Sequence, residues 1–109
     1  MHKNIVYIDD EVDLCDLFAQ IFATEEISIT TFNDPDKAVG YINSNDIDLI
    51  FIDYRLPNTT GDDIAFKIKS KATKYIITGE LEFIPKSDVK GVLNKPIDIA
   101  KINQIIASI

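Results

Sequence analysis

Short apolar runs alternate with stretches of helical periodicity along the chain, and this alternation limits the possible folds more than any other feature. The runs are rich in β-branched and aromatic residues, have the length of β-strands, and cover residues 5–8, 27–32, 47–52, 75–77 and 91–94. Helical patterns cover residues 12–23, 35–44, 62–71 and 97–109. Strands that alternate with helices form an open parallel sheet with helices on both faces. The sequence therefore predicts an α/β protein with one doubly wound sheet.

Apolar side chains recur at helical spacing in the first and the last predicted helix, as in helices that pack one side on a core. They are Leu14, Leu17, Phe18, Ile21 and Phe22 in the first helix, and Ile99, Ile102, Ile105, Ile106 and Ile109 in the last. The second helix has a start signal in Asp34 and Pro35. Asp34 can cap the helix, and Pro35 suits the first helical position, where no N–H is needed.

The connection between the fourth and fifth predicted strands is short. It has only twelve residues, 79–90, and it contains Pro85. A crossover that includes its helix needs at least ~10–12 residues, and proline interrupts a helix interior. We therefore expect the fourth helix to be short, displaced or absent.

The chain has 109 residues, a net charge of −7 and a pI near 4.5. This length predicts a single domain, residues 1–109, and the acidic balance argues against nucleic-acid binding, which needs a basic surface. No apolar stretch is long enough for a signal peptide or a membrane span, so we expect a cytoplasmic protein without membrane contact. The single cysteine, Cys15, excludes an internal disulfide and is expected to be a small apolar residue on a helix.

Polar residues follow four of the five apolar runs, at the point where each run ends. They are Asp9 and Asp10 after the first run, Asp53 after the third, Thr78 after the fourth and Lys95 after the fifth. In open α/β sheets, ligands bind just beyond the carboxyl ends of the strands. We therefore expect these side chains to lie together in one site.

The residue types at the strand ends indicate a particular chemistry. Crowded carboxylates repel one another, and a bound cation removes the repulsion. Oxygen-only ligands favour Mg²⁺, which uses one or two carboxylates and bridges to phosphate oxygens. A carboxylate in such a site can act as a nucleophile and become an aspartyl phosphate. A lysine and a threonine hydroxyl can stabilise the phosphoryl oxygens during transfer.

These residues stand in an ordered pattern that covers essentially the whole chain. The pattern consists of Asp9-Asp10, Asp53 to Pro57 with Gly61, Thr78-Gly79 and Lys95-Pro96. It resembles the receiver domain of two-component response regulators, of the single-domain type found in chemotaxis. The resemblance implies a flavodoxin-like sheet of five parallel strands in the order 2-1-3-4-5. It also implies a stand-alone receiver, with no output domain after Ile109.

The resemblance assigns a metal role to four residues. Asp53 would be the phosphoacceptor and would face the metal ion. Asp10 would bind Mg²⁺ directly, Asp9 would hold metal-bound water, and the Arg55 carbonyl would complete the metal site.

The remaining roles concern the phosphoryl group. Lys95 would pair with it, and Thr78 would supply the switch hydroxyl. The group would come from a histidine kinase, a phosphotransfer protein or a small phosphodonor, and the signal would pass to an unidentified protein target. Such a module phosphorylates and dephosphorylates itself but is not an enzyme for an external substrate.

The sequence also leaves alternatives open. The family often has an aromatic residue three positions before the lysine, where this chain has Val92. Because valine has no ring to turn inward, an interaction module whose site no longer drives a switch is one alternative. A hydrolase of the haloacid dehalogenase class is another, but it needs a second aspartate where this chain has Arg55. A flavodoxin-like cofactor binder is disfavoured, since no Ser/Thr/Gly-rich loop follows the first strand.

Overall fold

The computed structural model describes residues 2–109, and its centre is one sheet of five parallel strands. These strands are β1 (Lys3–Ile8), β2 (Ile27–Phe32), β3 (Leu49–Asp53), β6 (Thr73–Thr78) and β7 (Gly91–Asn94). The two short strands β4 (Arg55–Leu56) and β5 (Thr59–Thr60) form a separate hairpin. The sheet order β2-β1-β3-β6-β7 confirms the expected order 2-1-3-4-5, because β6 and β7 are the fourth and fifth predicted strands.

Helices cover both faces of this sheet. Within residues 2–109 they are α1 (Val12–Phe22), α2 (Pro35–Ser44), α3 (Gly61–Lys67) and α4 (Ile99–Ala107). Side chains of α1 and α4 pack in one core, and those of α2 and α3 pack in a second core on the opposite face. No helix in the described part of the chain is long and apolar enough to cross a membrane.

The middle strand β3 connects the two cores. All five of its side chains are buried. Leu49 and Phe51 point into the core under α1 and α4, whereas Ile50 and Ile52 point into the core under α2 and α3. Full burial of such a side chain stabilises the fold by about 1.5–3 kcal/mol relative to exposure. The uninterrupted apolar run is therefore a central strand that is covered on both faces, as its composition predicts.

The third helix is shorter than the sequence indicates. It was expected to reach Lys71, but it ends at Lys67, and the Ile68 N–H bonds to the Ala65 carbonyl at 3.2 Å. The Lys69 N–H is then taken by the Asn43 side chain of α2 at 2.9 Å. This tertiary hydrogen bond replaces the next turn of the helix, and the apolar side chain of Ile68 stays buried.

The last helix, α4, begins two residues later than expected, at Ile99 instead of Ile97. Asp98 has an extended backbone, and its side chain accepts a hydrogen bond from the Lys101 N–H at 3.3 Å. Aspartate is a strong helix N-cap because its carboxylate satisfies an N–H that lacks a helical partner. The cap therefore sets the start of α4.

The apolar stripes are only partly directed at the sheet. Phe18 and Phe22 of α1 are buried, but Leu17 is 49% exposed and Ile21 is 41% exposed. Ile99 of α4 is also 48% exposed, although the following isoleucines Ile102, Ile105 and Ile106 are buried. The exposed side chains line an apolar groove between α1 and the start of α4.

The β4–β5 hairpin lies between the third predicted strand and the third predicted helix, where the sequence indicated neither strand nor helix. Its two-residue connection is Pro57-Asn58, and Asn58 has a φ of 61°. Asparagine adopts this left-handed conformation more readily than most residues do. The following Thr60 caps α3 by accepting a hydrogen bond from the Asp63 N–H.

We call residues 79–90 the strap. The strap contains no helix. The sequence allowed a short, displaced or absent helix in this crossover, and the structure shows that the helix is absent. The burial of the strap alternates from residue to residue, because Phe83, Pro85, Ser87 and Val89 are partly buried and their neighbours on either side from residue 82 to residue 90 are exposed. This period of two is typical of extended chain. The strap thus has a turn at residues 81–82 and continues to β7 as extended chain.

Candidate functional site

Three carboxylates meet at the carboxyl edge of the sheet. β1 and β3 are neighbours with Ile8 beside Ile52, so Asp9 and Asp53 leave the sheet side by side. Asp9, Asp10 and Asp53 each place a carboxylate oxygen within 4.8 Å of the other two. Asp9 and Asp53 are buried, and Asp10 is exposed. The structure therefore brings together the three acidic residues that the sequence singled out.

Asp9 is held by partners on both of its carboxylate oxygens. The Tyr7 hydroxyl donates to Oδ2 at 2.7 Å, and the Glu11 N–H donates to Oδ1 at 3.0 Å. Burial and the hydrogen bond to Asp9 raise the pKa of Tyr7, so its hydroxyl keeps its proton and donates. The ring of Tyr7 stacks on Phe18 with centroids 4.1 Å apart.

Tyr7 was not among the site residues that the sequence indicated. Tyr7 does lie in the core, and its hydroxyl extends from the core to the site. The signal was available, because residues two apart on a strand face the same side. A tyrosine two positions before a strand-end aspartate is therefore a candidate partner for that aspartate.

Lys95 is the cation that faces Asp53. Its Nζ lies 2.9 Å from Asp53 Oδ1, and its backbone N–H donates to the Thr78 carbonyl at 2.9 Å. Burial raises the pKa of Asp53, and the hydrogen bond from Lys95 offsets part of this rise while the charge of Asp9 adds to it. Partial burial alone would lower the pKa of Lys95, but the hydrogen bond and charge of Asp53 outweigh it and raise that pKa.

Thr78 ends β6, the strand that neighbours β3. Asp53 is paired with Ile77, so Thr78 follows one residue beyond that pair. The Thr78 side chain is buried, and its Oγ1 accepts a hydrogen bond from the Glu80 N–H at 3.0 Å. The hydroxyl thus lies at the site edge and holds the first residues of the strap.

Arg55 follows the phosphoacceptor candidate by two residues. Its exposed side chain forms an ion pair with Glu80 of the strap. The expected role of its carbonyl as a metal ligand stays a prediction.

Gly61 is required by close packing against the site. A Cβ at this position would lie 2.5 Å from the carbonyl oxygen of Asp53 and 3.1 Å from the Ile52 side chain. Its N–H donates to the Tyr54 carbonyl at 2.7 Å, which closes the β4–β5 hairpin over the end of β3. The glycine therefore lets α3 start directly against the backbone of Asp53.

The donor set fits a hard divalent cation. Three carboxylates face one cationic side chain, Lys95, and two of the carboxylates are buried. The cluster offers only oxygen ligands, and Mg²⁺ prefers oxygen ligands and accepts one or two carboxylates with the rest water. A cation bound by Asp9, Asp10 and Asp53 would remove their mutual repulsion.

A doubly wound sheet with three carboxylates and a lysine at its carboxyl edge is the arrangement that the resemblance to receiver domains implies. The family model described as the response regulator receiver domain matches residues 5–107. The chain therefore belongs to the response regulator receiver domain family, as its motifs indicate.

Curated relatives match over part of their length. The regulatory protein VanRc of Enterococcus gallinarum is 33% identical over 69 residues, which is 63% of this chain and 30% of that protein. The regulatory protein VanR of Enterococcus faecium is 32% identical over 77 residues, which is 71% of this chain and 33% of that protein. The chain thus spans about a third of the length of these relatives.

Solved structures share the complete fold. A CheY-like receiver domain from Methylobacillus flagellatus has a TM-score of 0.87 at 19% identity, with 99% of this chain and 98% of that chain covered. The response regulator TrrA from Thermotoga maritima, solved in complex with Mg²⁺ and BeF, has a TM-score of 0.83 at 21% identity, with 97% of each chain covered. At these identities the likeness shows the fold alone.

Proposed function

We propose that this chain is a receiver domain that accepts a phosphoryl group on Asp53 in a Mg²⁺-dependent reaction. The observation that carries this proposal is the position of Asp53, which contacts Lys95 at 2.9 Å within a cluster of three carboxylates. The proposed donor is a histidine kinase, a phosphotransfer protein or a small phosphodonor. The proposed target is another protein in the cytoplasm, and no contact with nucleic acid or membrane is part of the proposal.

The proposed reaction is an in-line phosphoryl transfer. An Asp53 carboxylate oxygen forms a bond to phosphorus while the bond from phosphorus to the donor breaks, and the electron pair of that bond leaves with the donor atom. Water later attacks the same phosphorus and releases inorganic phosphate, which regenerates the carboxylate. Asp53 thus turns over only its own adduct, so the chain is not an enzyme for an external substrate.

The residues around Asp53 have distinct tasks in this proposal. Lys95 shifts its ammonium group from the carboxylate to the phosphoryl oxygens, where it offsets their charge. Tyr7 and the Glu11 N–H hold Asp9 in place, so that its carboxylate stays oriented toward the shared site. Asp10, Asp53 and the Arg55 carbonyl would hold Mg²⁺, and Asp9 would hold a metal-bound water. The bound ion would supply positive charge that offsets the carboxylates and the incoming phosphoryl group.

A second candidate function is an interaction module whose site no longer drives a switch. Two observations favour it, the valine at position 92 and the absence of a helix in residues 79–90. It predicts an adduct on Asp53 with no structural response elsewhere.

The phosphoacceptor is tested by intact mass after incubation with acetyl phosphate and Mg²⁺. We expect the wild type to gain the mass of one phosphoryl group, in an adduct that is stable in acid and lost in base. Asp53→Asn should lack the adduct. Asp63→Asn is the matched control, because Asp63 is an exposed aspartate in the first turn of α3, and it should label like the wild type. Equal labelling of Asp53→Asn would refute the assignment.

A further inference from the structure

Lysines are concentrated in one part of this acidic chain. Residues 67–74 contain four lysines and no acidic residue, although the chain as a whole carries a net charge of −7. This segment runs from the end of α3 to the start of β6, so it lies at the edge of the sheet opposite to the one that carries Asp53. The Lys90 N–H donates to the Lys74 carbonyl at 2.7 Å, which brings a fifth lysine beside the segment.

Four of these lysines line a surface cavity of about 480 Å³, which we call the lysine cavity. The four are Lys69, Lys71, Lys74 and Lys90, and Ser70, Thr73 and Asp88 add further polar groups. Four lysines against one aspartate leave a charge of +3 around the cavity. Its volume falls in the range of about 300–1,000 Å³ that is usual for small-molecule sites.

The ammonium group of Lys74 is buried, and its counterion is not. The side chain of Lys74 is 4% exposed, whereas the side chain of its partner Asp88 is 79% exposed. Lys74 Nζ lies 3.2 Å from one Asp88 carboxylate oxygen and 3.4 Å from the other. A buried charge needs a partner, but an exposed carboxylate can turn into water at little cost. Another anion can therefore take the place of Asp88.

The other three lysines of the cavity are exposed, and none of them forms an ion pair within residues 2–109. Lys67 differs from them, because it pairs with Asp36 at 3.7 Å and does not line the cavity. A lysine ammonium carries three N–H donors and binds phosphate oxygens as a point charge. The lysine cavity therefore offers three ammonium groups without a carboxylate partner beside a fourth whose partner is exchangeable.

The surroundings of the cavity limit the size and type of its ligand. A neighbouring cavity shares residues 69–72 but is also lined by Asp46 and Asp48. A long polyanion would extend over these carboxylates and over an acidic protein surface. The apolar residues of the lysine cavity, Ile68 and Ala72, are buried, so an acyl chain or a base would find little apolar surface there. A compact chain of phosphates fits better than a nucleic acid or a lipid.

We propose that the lysine cavity binds an oligophosphate group, either an inorganic oligophosphate or the phosphate chain of a nucleotide. The phosphate oxygens replace the Asp88 carboxylate on Lys74 and accept hydrogen bonds from the exposed lysines. The binding is non-covalent. It takes place at the edge of the sheet opposite to Asp53, so it does not depend on the proposed phosphorylation.

NMR of the ¹⁵N-labelled wild type, titrated with tripolyphosphate in Mg²⁺-free buffer, locates the ligand. We expect saturable shifts of the backbone amides in residues 69–74 and 88–91. Residues 9–10, 53–54 and 95 should not respond, because the carboxylates there repel a polyanion in the absence of a cation. Sulfate at equal ionic strength is the control for a general salt effect. Shifts that do not saturate, or that sulfate reproduces, would overturn the proposal.

Further titrations separate the possible ligands. If pyrophosphate and ADP bind equally and adenosine does not bind, the phosphate chain alone is recognised. If ADP binds more tightly than pyrophosphate, the ligand is a nucleotide held by its phosphate chain. Single-stranded RNA that bound more tightly than tripolyphosphate and shifted the same amides would overturn the choice of a compact ligand.

Lysine variants test the cavity residues one at a time. Lys71→Gln and Lys90→Gln should each raise the Kd for tripolyphosphate about tenfold, since each removes a hydrogen bond to a charged group. Both side chains are exposed, so these variants should fold normally. Lys101→Gln is the matched control, because Lys101 is exposed in α4 on the opposite face of the sheet, and its Kd should equal that of the wild type. Equal weakening by all three variants would contradict a localised site.

The exchange of counterions on Lys74 has its own test. Asp88→Asn should lower the Kd, because no carboxylate then competes with the phosphate oxygens. Asp63→Asn removes the same charge from an exposed position in the first turn of α3, and it should leave the Kd unchanged. If both variants lowered the Kd equally, or if Asp88→Asn raised it, the role of Lys74 as the centre of the site would be refuted.

Discussion

At the scale of single residues, hydrogen bonds determine how burial shifts the pKa of a carboxyl group. Burial alone would raise the pKa of Asp62, but hydrogen bonds from the Ser87 hydroxyl and from the backbone of Lys86 and Ser87 outweigh burial and lower that pKa. Asp53 has fewer such donors, and burial raises its pKa. The two aspartates are both buried, yet the pKa of Asp62 is lowered and the pKa of Asp53 is raised, because Asp62 has more hydrogen-bond donors.

The lowered pKa of Asp62 predicts a pH-dependent contribution to stability. A carboxyl group whose folded pKa is lowered stabilises the fold above its unfolded pKa of about 3.9, and this stability is lost as the pH falls through the folded pKa. Asp62→Asn should therefore destabilise the domain by about 1–3 kcal/mol at neutral pH. The difference in unfolding free energy between Asp62→Asn and the wild type should narrow in acid. Urea unfolding at several pH values measures this difference.

The exposed neighbour Asp63 supplies the control for this experiment. Asp63→Asn removes the same charge from the same helix turn but breaks no buried hydrogen bond. Its effect should stay within the range of about 0.3–1 kcal/mol that is typical of a charge near a helix N-terminus. If the difference in unfolding free energy between Asp62→Asn and the wild type did not depend on pH, the role of the Asp62 charge would be contradicted.

At the scale of elements, α3 connects the site with the strap. Gly61 starts the helix against the backbone of Asp53, and Asp62 in its first turn holds residues 86 and 87. The helix is only seven residues long. A short element that touches both regions keeps their positions correlated.

Gly61→Ala is predicted to strain this element, since the new methyl group would meet the Asp53 carbonyl at 2.5 Å. We expect a loss of about 1–3 kcal/mol in unfolding free energy, and a lower yield of adduct from acetyl phosphate because Asp53 is displaced. Gly40→Ala is the matched control, because nothing lies within 4 Å of a Cβ there and Gly40 is exposed within α2. It should stabilise the domain by about 0.5–1 kcal/mol. If Gly61→Ala and Gly40→Ala changed the unfolding free energy equally, the close packing of Gly61 against Asp53 would be contradicted.

At the scale of the whole molecule, the carboxylate cluster works against folding until a cation is bound. The net charge of −7 adds a general repulsion to the local one between Asp9, Asp10 and Asp53. A ligand that binds only the folded state stabilises it by mass action. The stability of this domain should therefore depend on divalent cations.

Mg²⁺ is predicted to raise the melting temperature of the wild type, and Asp10→Ala should abolish most of that rise. Without metal, Asp10→Ala should melt at a slightly higher temperature than the wild type, because one repulsive charge is gone. Asp13→Ala, at an exposed aspartate in the first turn of α1, should keep the full response to Mg²⁺. If Asp10→Ala also kept the full rise in melting temperature with Mg²⁺, the cluster of Asp9, Asp10 and Asp53 would not be the metal site. Differential scanning calorimetry gives both comparisons.

The local sequence determined the elements of the fold and the composition of its site. Strand and helix periods, the Asp34-Pro35 start of α2 and the polar residue at each strand end depend on neighbouring residues, and all of them can be read along the chain. Chain length and Pro85 limited the helix between β6 and β7 to a short, displaced or absent one, and the structure has no helix there. Since parallel strands end at one edge, the meeting of Asp9, Asp53 and Lys95 follows from the order of the elements.

The tertiary structure decided which partner each side chain meets. α3 ends at Lys67 because Asn43, 26 residues before Lys69, takes the Lys69 N–H. Asp62 had no visible role in the sequence, since its partners in the strap lie 24 and 25 residues away. The stripe of α1 left Leu17 exposed, because the sheet covers only the side that carries Phe18 and Phe22. Periodicity is a property of short stretches, whereas these contacts depend on how distant segments pack, and only the assembled fold contains that information.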